Sequence, residues 1–336
     1  MAIQVTDLQV LRDQLLIRRE KLGTAIAKSQ TANLVQLLEQ VDKALEKVDA
    51  GTYGVCEHCL GTVEAERLMT DPLAKLCLDC LNPSEARALE QDLALAARIQ
   101  AGLLPRADTA AAGWNVAFHY QAAGLVSGDY CDLMSYGKDL YFMVGDVSGK
   151  GVAASLLMAN LHAMFRALIP TGLPLPQLIG RANRIFSEST LPMQYATLVL
   201  GRAGADGEVE ICNGGHLAPL HIGAKGVQAI QASALPVGMF LDQEFPSIRL
   251  NAAPGDSLVV FTDGFTESST TGGSEYGDQR LGTVLEGRHG NCARQLLDAC
   301  MKDHHAFRNG TAVLDDQTVM VLNFAPGENP GGAIVH

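Results

Sequence analysis

The sequence holds no lysine- or arginine-rich run to relieve its excess of 37 acidic over 25 basic residues, and its net charge is −12. That balance disfavours binding nucleic acid by phosphate neutralisation, and equally binding an anionic membrane. No apolar stretch reads as a spanning helix, because the longest, 155–173, is broken by His162, Arg166 and Pro170. The opening MAIQVTDLQVLRDQ has neither the basic nor the apolar region of a signal peptide. A soluble, cytoplasmic chain is therefore expected. There is no internal repeat and no low-complexity tract, and 47% hydrophobic with 18% charged residues is not a disordered composition. The 336 residues suit two domains with a full core, and 34 glycines imply many tight turns.

Two catalytic patterns are missing as well. The turn Gly145-Asp146-Val147-Ser148-Gly149-Lys150-Gly151 is not a phosphate loop, because Gly151 and Val152 follow Lys150 where Ser or Thr is needed. No G-x-S-x-G elbow occurs, and Ser148 has no histidine nearby in sequence to serve as its base. Cys131 lies between Asp129 and Asp132, in a negative field that raises its pKa and makes it a poor nucleophile.

Four of the eight cysteines are concentrated in 25 residues: Cys56, Cys59, Cys77 and Cys80. Their pattern, C-x2-C-x17-C-x2-C, is two ligand pairs at the spacing of a four-cysteine zinc site. Each C-x2-C turn can aim two thiolates at one tetrahedral ion. Few apolar residues lie between the pairs, so one structural Zn2+ would supply most of the folding energy there. His58 could substitute as a ligand, although four thiolates already fill the shell; a redox dithiol is the competing reading. Cys131, Cys212, Cys292 and Cys300 are scattered and read as inert thiols.

The run AGTYGVCEHC at 50–59, with ERL at 66–68 and LCLDC at 76–80, resembles the DksA/TraR-type zinc finger. In that family the finger follows a helical hairpin and contacts RNA polymerase, so the resemblance implies such a contact. Residues 6–50 read as helix, with a turn near Lys21, Gly23 and Thr24. The segment is short for a tip reaching into a large enzyme and has no acidic pair at that turn. Those features favour a dimerising or sensory module over a polymerase-binding one.

Asn82-Pro83-Ser84 breaks the chain, and Ser84 can cap a helix over 85–103 that carries Leu89, Leu93, Leu95, Ile99 and Leu103. Its apolar stripe can pack on the next domain or pair with a second copy. Residues 106–113 read as a linker of small residues. From Trp114 onward short strands are expected at 115–122, 129–136, 139–147, 195–202, 207–212, 216–222, 226–231, 245–251, 256–263 and 316–324. Helices are expected at 151–168, 175–189, 279–286 and 291–307. Helices grouped between runs of strands with hairpin-length connections predict an α+β fold with antiparallel sheets.

Several aspartates stand at strand ends beside glycine. Asp129 follows Ser127-Gly128, Asp146 ends an apolar strand, Asp263 precedes Gly264, and Asp315-Asp316 precede the strand at 318–322. Singly, each is an ordinary turn residue. Together, on strands lying side by side, they form a cluster whose repulsion cations would offset. Oxygen donors without His or Cys select hard ions, Mg2+ or Mn2+. His216, in Asn213-Gly214-Gly215-His216, reads as structural, with a role near the metals as the alternative.

Six ordered segments then carry a second resemblance: ARIQAGLLP at 97–105, SGDYCD at 127–132, GDVSGKGVAASLLMA at 145–159, NGGHLAPL at 213–220, FTDGFTES at 261–268 and DDQT at 315–318. Together they resemble the SpoIIE/RsbU branch of the PPM-type metal-dependent protein serine/threonine phosphatases, over roughly residues 96–325. The resemblance implies two packed antiparallel sheets with helices outside and a site for two Mn2+ or Mg2+ at one edge. It further implies that Asp146 bridges the metals with the Val147 carbonyl alongside. Asp129, Asp263 and Asp315 would be ligands, with Asp316 as a further ligand or support. Ser127 stands where a second glycine is common and Lys150 where some relatives have histidine; Lys150 could attract the phosphate.

The implied reaction is hydrolysis of phosphoserine or phosphothreonine on a regulatory protein, in this branch often an anti-sigma-factor antagonist. The expected organisation is a helical segment with its zinc finger (1–82), a switch or dimerisation helix (83–105), the phosphatase domain (106–326) and a flexible tail (327–336). The expected partners are a phosphoprotein and a second copy of the chain. The alternative is a catalytically silent regulator that binds phosphoprotein or RNA polymerase.

Overall fold

A computed structural model of the chain describes residues 5–28, 32–80, 83–106, 108–191 and 193–327. The chain divides into two compact units, 1–95 and 96–336.

In the first unit, helices α1 (Val5–Lys28) and α2 (Ala32–Asp49) form an antiparallel hairpin. Leu15 and Leu22 pack on Val41, Ala44 and Leu45, and Arg12–Asp49 and Arg19–Asp42 ion pairs flank the seam. The expected turn at Lys21–Thr24 is not there, because α1 runs through Gly23 to Lys28. A lone glycine costs a helix only about 1 kcal/mol relative to alanine, which burial of the facing stripe offsets. The finger follows, with a short helix α3 (Ala65–Thr70) and a single turn at Leu78–Cys80.

Helix α4 (Pro83–Ala101) begins in the first unit and ends in the second. It starts at Pro83 rather than after Ser84, since proline's fixed φ suits the first helical turn. Of its expected apolar stripe, Leu95 and Ile99 are exposed.

The second unit contains two antiparallel sheets. One runs in the order β1 (Thr109–Ala111), β2 (Trp114–Gln121), β11 (Gln317–Phe324), β10 (Ser257–Phe261), β7 (Leu220–Gly223), β8 (Gly226–Ala229). The other runs β3 (Asp129–Tyr136), β4 (Asp139–Val147), β5 (Ala196–Gly204), β6 (Glu208–Gly214), β9 (Ser247–Asn251). Alternate residues of both sheets, among them Leu133, Phe142, Val144, Val260, Met320 and Leu322, fill the core between them. The outer face of the second sheet is covered by α5 (Gly151–Leu168) and α6 (Leu175–Ser189). The outer face of the first is covered by α8 (Asp278–Leu285) and α9 (Ala293–Arg308).

These elements match the expected α+β architecture within a few residues, with two differences. The stretch read as linker contains β1, in register with β2 through Thr109↔Val116, because the turn at Ala112-Gly113 folds it back. A four-residue helix α7 (Asp263–Thr266) follows β10 directly. The segment 151–171 is long and apolar enough by composition to cross a membrane. Here α5 puts Ala154, Met158, Leu161, Phe165 and Leu168 into the core, and Arg166 pairs with Asp132. Of the expected tail, all but Gly327 lies outside the described residues.

Candidate active site and zinc centre

In the first unit the four cysteine sulfurs all lie within 4.8 Å of one another. Cys59 Sγ and Cys77 Sγ are 3.7 Å apart, against about 3.8 Å for the edge of a tetrahedron with Zn–S bonds of about 2.3 Å. The first knuckle closes through Cys56 N–H to Gly61 O at 2.8 Å and Leu60 N–H to Cys56 O at 3.0 Å. Backbone N–H groups of Cys59 and Cys77 are aimed at Cys56 and hold its thiol down at about 6, so this sulfur is a thiolate at neutral pH. The donor set and its spacing suit Zn2+. His58 is exposed and stands outside the four-sulfur group.

In the second unit the carboxylates are assembled from both sheets. Asp129 and Asp146 are paired across β3 and β4. The neighbouring sheet contributes Asp263, which opens α7 one residue beyond β10, and Asp315 and Asp316, immediately before β11. Asp129 is 1% exposed, and its Oδ2 accepts hydrogen bonds from Thr262 Oγ1 at 2.9 Å and Thr318 Oγ1 at 2.6 Å. One carboxylate of the second sheet is thus tied to two strand ends of the first. Asp316 accepts the Ala123 and Gly128 N–H groups, each at 2.8 Å, one on each oxygen, and so braces the loop leading to Asp129.

Two glycines permit this convergence. A Cβ at Gly264 would lie 2.0 Å from the Asp316 carbonyl oxygen, so only glycine lets the end of β10 approach the start of β11. A Cβ at Gly128 would lie 3.2 Å from the Val147 carbonyl oxygen and 3.5 Å from Asp146 Oδ1. The Val147 carbonyl therefore stands beside Asp146 at the rim of the cluster.

The electrostatics are those of an uncompensated anion cluster. Burial, then the charges of Asp263, Asp315 and Asp316, pushes Asp146 up to about 7. Burial and Asp315 raise Asp263, and burial holds Asp129 well above the usual carboxylate range. Lys150 is the cation at the cluster's edge, with Nζ 3.0 Å from Asp315 Oδ2. Several oxygen donors with one exposed counter-charge are the environment that hard divalent cations relieve. Glu267, four residues after Asp263, lies in the same negative field, where burial and Asp263 raise it.

Other residues singled out in the sequence lie elsewhere. Asp132 points to the opposite face of β3, where Arg166 Nε lies 2.9 Å from its Oδ2. Cys131 is fully buried, and burial, then Asp132 and Asp129, raises its thiol. His216 is a clamp: its Nε2 donates to Phe261 O at 3.0 Å, so its Nδ1 accepts from Thr197 Oγ1 at 2.8 Å. Burial lowers it to about 4, so it is neutral. Thr262 and Thr318 carried no role in the sequence reading, although each adjoins an aspartate motif, as T-D and D-D-Q-T.

Residues 136–325 match the model of the family described as Stage II sporulation protein E (SpoIIE), more than half of the chain. The chain belongs to the SpoIIE family. The match opens after Asp129, whose place beside Asp146 comes from the strand register. Over 188 residues the chain is 23% identical to the Phosphoserine phosphatase RsbU of Bacillus subtilis, covering 55% of this chain and 56% of RsbU. Over 52 residues it is 36% identical to the RNA polymerase-binding transcription factor DksA of Escherichia coli, covering 16% of this chain and 34% of DksA. It thus spans about half the length of the one relative and a third of the other. The solved SiaA-PP2C domain of Pseudomonas aeruginosa superposes with a TM-score of 0.63 at 17% identity, covering 72% of this chain and 100% of that domain. The SpoIIE-type unit therefore has the PP2C fold.

Proposed function

We propose that this SpoIIE-family chain is a metal-dependent protein serine/threonine phosphatase acting on a regulatory phosphoprotein, under control of its N-terminal zinc-finger module. The observation that carries the reading is the register pairing of Asp129 with Asp146, joined by Asp263 and Asp315 from the facing sheet. Asp129, Asp146, the Val147 carbonyl, Asp263 and Asp315 are the residues that would hold Mn2+ or Mg2+, with Asp316 as their brace. Two such ions, when bound, would lower the pKa of a coordinated water and offset charge on the phosphoryl oxygens. The chain itself orients the carboxylates through Thr262 and Thr318, and offers Lys150 at the cluster's edge as a cation for an incoming phosphate.

The similarity to RsbU supports phosphoserine as the substrate group, and an anti-sigma-factor antagonist is the class of protein we propose to carry it. Leu95 and Ile99, exposed one turn apart on α4, are the surface we assign to homodimerisation. The zinc module is proposed to act through α4.

The deciding experiment is phosphate release from phosphoserine peptides by the full chain with and without Mn2+, beside a folded Asp263→Asn variant. Mn2+-dependent release that the variant lacks is expected. Equal release by both proteins would overturn the assignment of the site, and no release from peptides or from p-nitrophenyl phosphate would overturn the enzyme reading.

A further inference from the structure

The end of α4 inverts the pattern of an amphipathic helix. Gln100 is the one buried residue among its described side chains, at 7% exposure, while the adjoining Ile99 is 60% exposed. Burying a primary amide costs free energy unless its hydrogen-bonding groups are met. Here they are met by a single residue: Gln100 Nε2 donates to Ser127 O at 2.7 Å, and Gln100 Oε1 accepts from Ser127 N–H at 2.9 Å. The amide grips both sides of one backbone position, as a neighbouring strand would.

That position leads directly to the carboxylates. Ser127 is fully buried, and its Oγ accepts the N–H of Asp129 at 3.0 Å. Residues 122–128 lie in no helix or strand, so their path rests on side chains. Asp316 holds them from the site itself, and Gln100 holds them from the helix. The helix end is in turn anchored by Leu103, against the core under α5 and α6, and by Leu104, against the core between the sheets.

We propose that Gln100 is a positioning residue for the metal centre, holding Ser127 so that Asp129 faces Asp146, and thereby tying cation affinity to the placement of α4. The proposal rests on the carboxylate cluster being the metal site. A residue that orients a ligand rather than binding the ion typically changes metal affinity by about 10- to 100-fold.

The test uses the full chain and Gln100→Met, which keeps the length of the side chain and removes both hydrogen bonds. Arg98→Ala, at an exposed position of the same helix turn, serves as the control. Mn2+ binding is followed by loss of the free-ion electron paramagnetic resonance signal, with hydrogen exchange over 122–130 and thermal unfolding measured on the same samples. The expected result is at least a roughly tenfold weaker Mn2+ affinity and faster exchange in 122–130 for Gln100→Met. Its unfolding midpoint stays close to that of the parent, and Arg98→Ala behaves as the parent. Unchanged Mn2+ affinity in a folded Gln100→Met would overturn the proposal. So would weakened binding accompanied by loss of protection across the whole second unit, which would make Gln100 a general fold contact. A parent chain that binds no Mn2+ would overturn the metal-site reading and the proposal with it, whereas the exchange data would still report the Gln100 clamp.

Discussion

Asp129 and Asp146 stand directly opposite each other on adjacent antiparallel strands, a pair of carboxylates in one register position. Like charges so placed destabilise a sheet. The pair is therefore held by what surrounds it: threonine hydroxyls on Asp129, and strand ends brought from the facing sheet. Such local conflict inside a well-packed sandwich is characteristic of a functional site.

Thr318→Val removes the shorter of the two hydroxyl bonds to Asp129 while keeping the side chain's shape. Mn2+ affinity should fall by about 10- to 100-fold, with the maximal rate at saturating Mn2+ largely recovered. A Mn2+ titration of phosphate release checks this. An unchanged titration would mean that Asp129 needs no orienting hydroxyl.

Lys150→Ala should raise KM for a phosphoserine peptide severalfold with little change in kcat. The ammonium is well exposed and its pair with Asp315 is a surface contact of small net worth, so stability should hardly move. Steady-state kinetics and a thermal melt of the same variant decide it, and an unaltered KM would remove Lys150 from phosphate attraction.

Acid should withdraw the stability that the buried histidines contribute to the second unit, against the opposite contribution of the raised carboxylates Asp129, Asp146 and Asp263. Burial lowers His216 to about 4, whereas in an unfolded chain it titrates near 6.5. Between those values the unfolded state binds more protons at this site, so the contribution of His216 falls as pH drops from about 6.5 towards 4, by up to roughly 3 kcal/mol. His304, lowered to about 4 by burial and then by Arg308, acts in the same direction. The melting temperature of His216→Gln should lie below that of the parent at pH 7, and the gap should narrow by pH 4.5. Parallel curves would contradict the clamp role.

Chelation of Zn2+, or Cys56→Ser, should unfold the finger. Its core is small, consisting of Leu11, Val63 and Leu68 beside Cys56 and Cys77, so a bound Zn2+ would supply much of its stability. Hydrogen exchange should show loss of protection over 53–80, with the two sheets of the second unit unaffected. Persistent protection after verified zinc loss would show that the apolar contacts suffice.

The strands were legible as short apolar and aromatic runs bounded by Gly and Asp turns, although β3 and β4 are buried almost throughout and show no alternation: they appear at their expected residues, 129–136 and 139–147. The strand β1 was not, since Thr-Ala-Ala has little β propensity and its pairing with β2 depends on a turn at Ala112-Gly113. The hairpin turn was misplaced for a related reason. A helix tolerates one glycine when its facing side is covered, and sequence alone does not show what covers it.

The sequence by itself determined which chemistry is present: two cysteine pairs at ligand spacing, and carboxylates set beside glycine at strand ends. Those are local properties, written in neighbouring residues and in turn geometry. The tertiary structure decided which aspartates meet. Asp129 joins Asp146 through register, while Asp132 on the same strand turns away to Arg166 because side chains alternate with a period of two. It also decided that Thr262, Thr318 and Gln100 serve Asp129, because these contacts link residues 27 to 189 positions apart and depend on how the sheets and α4 pack together.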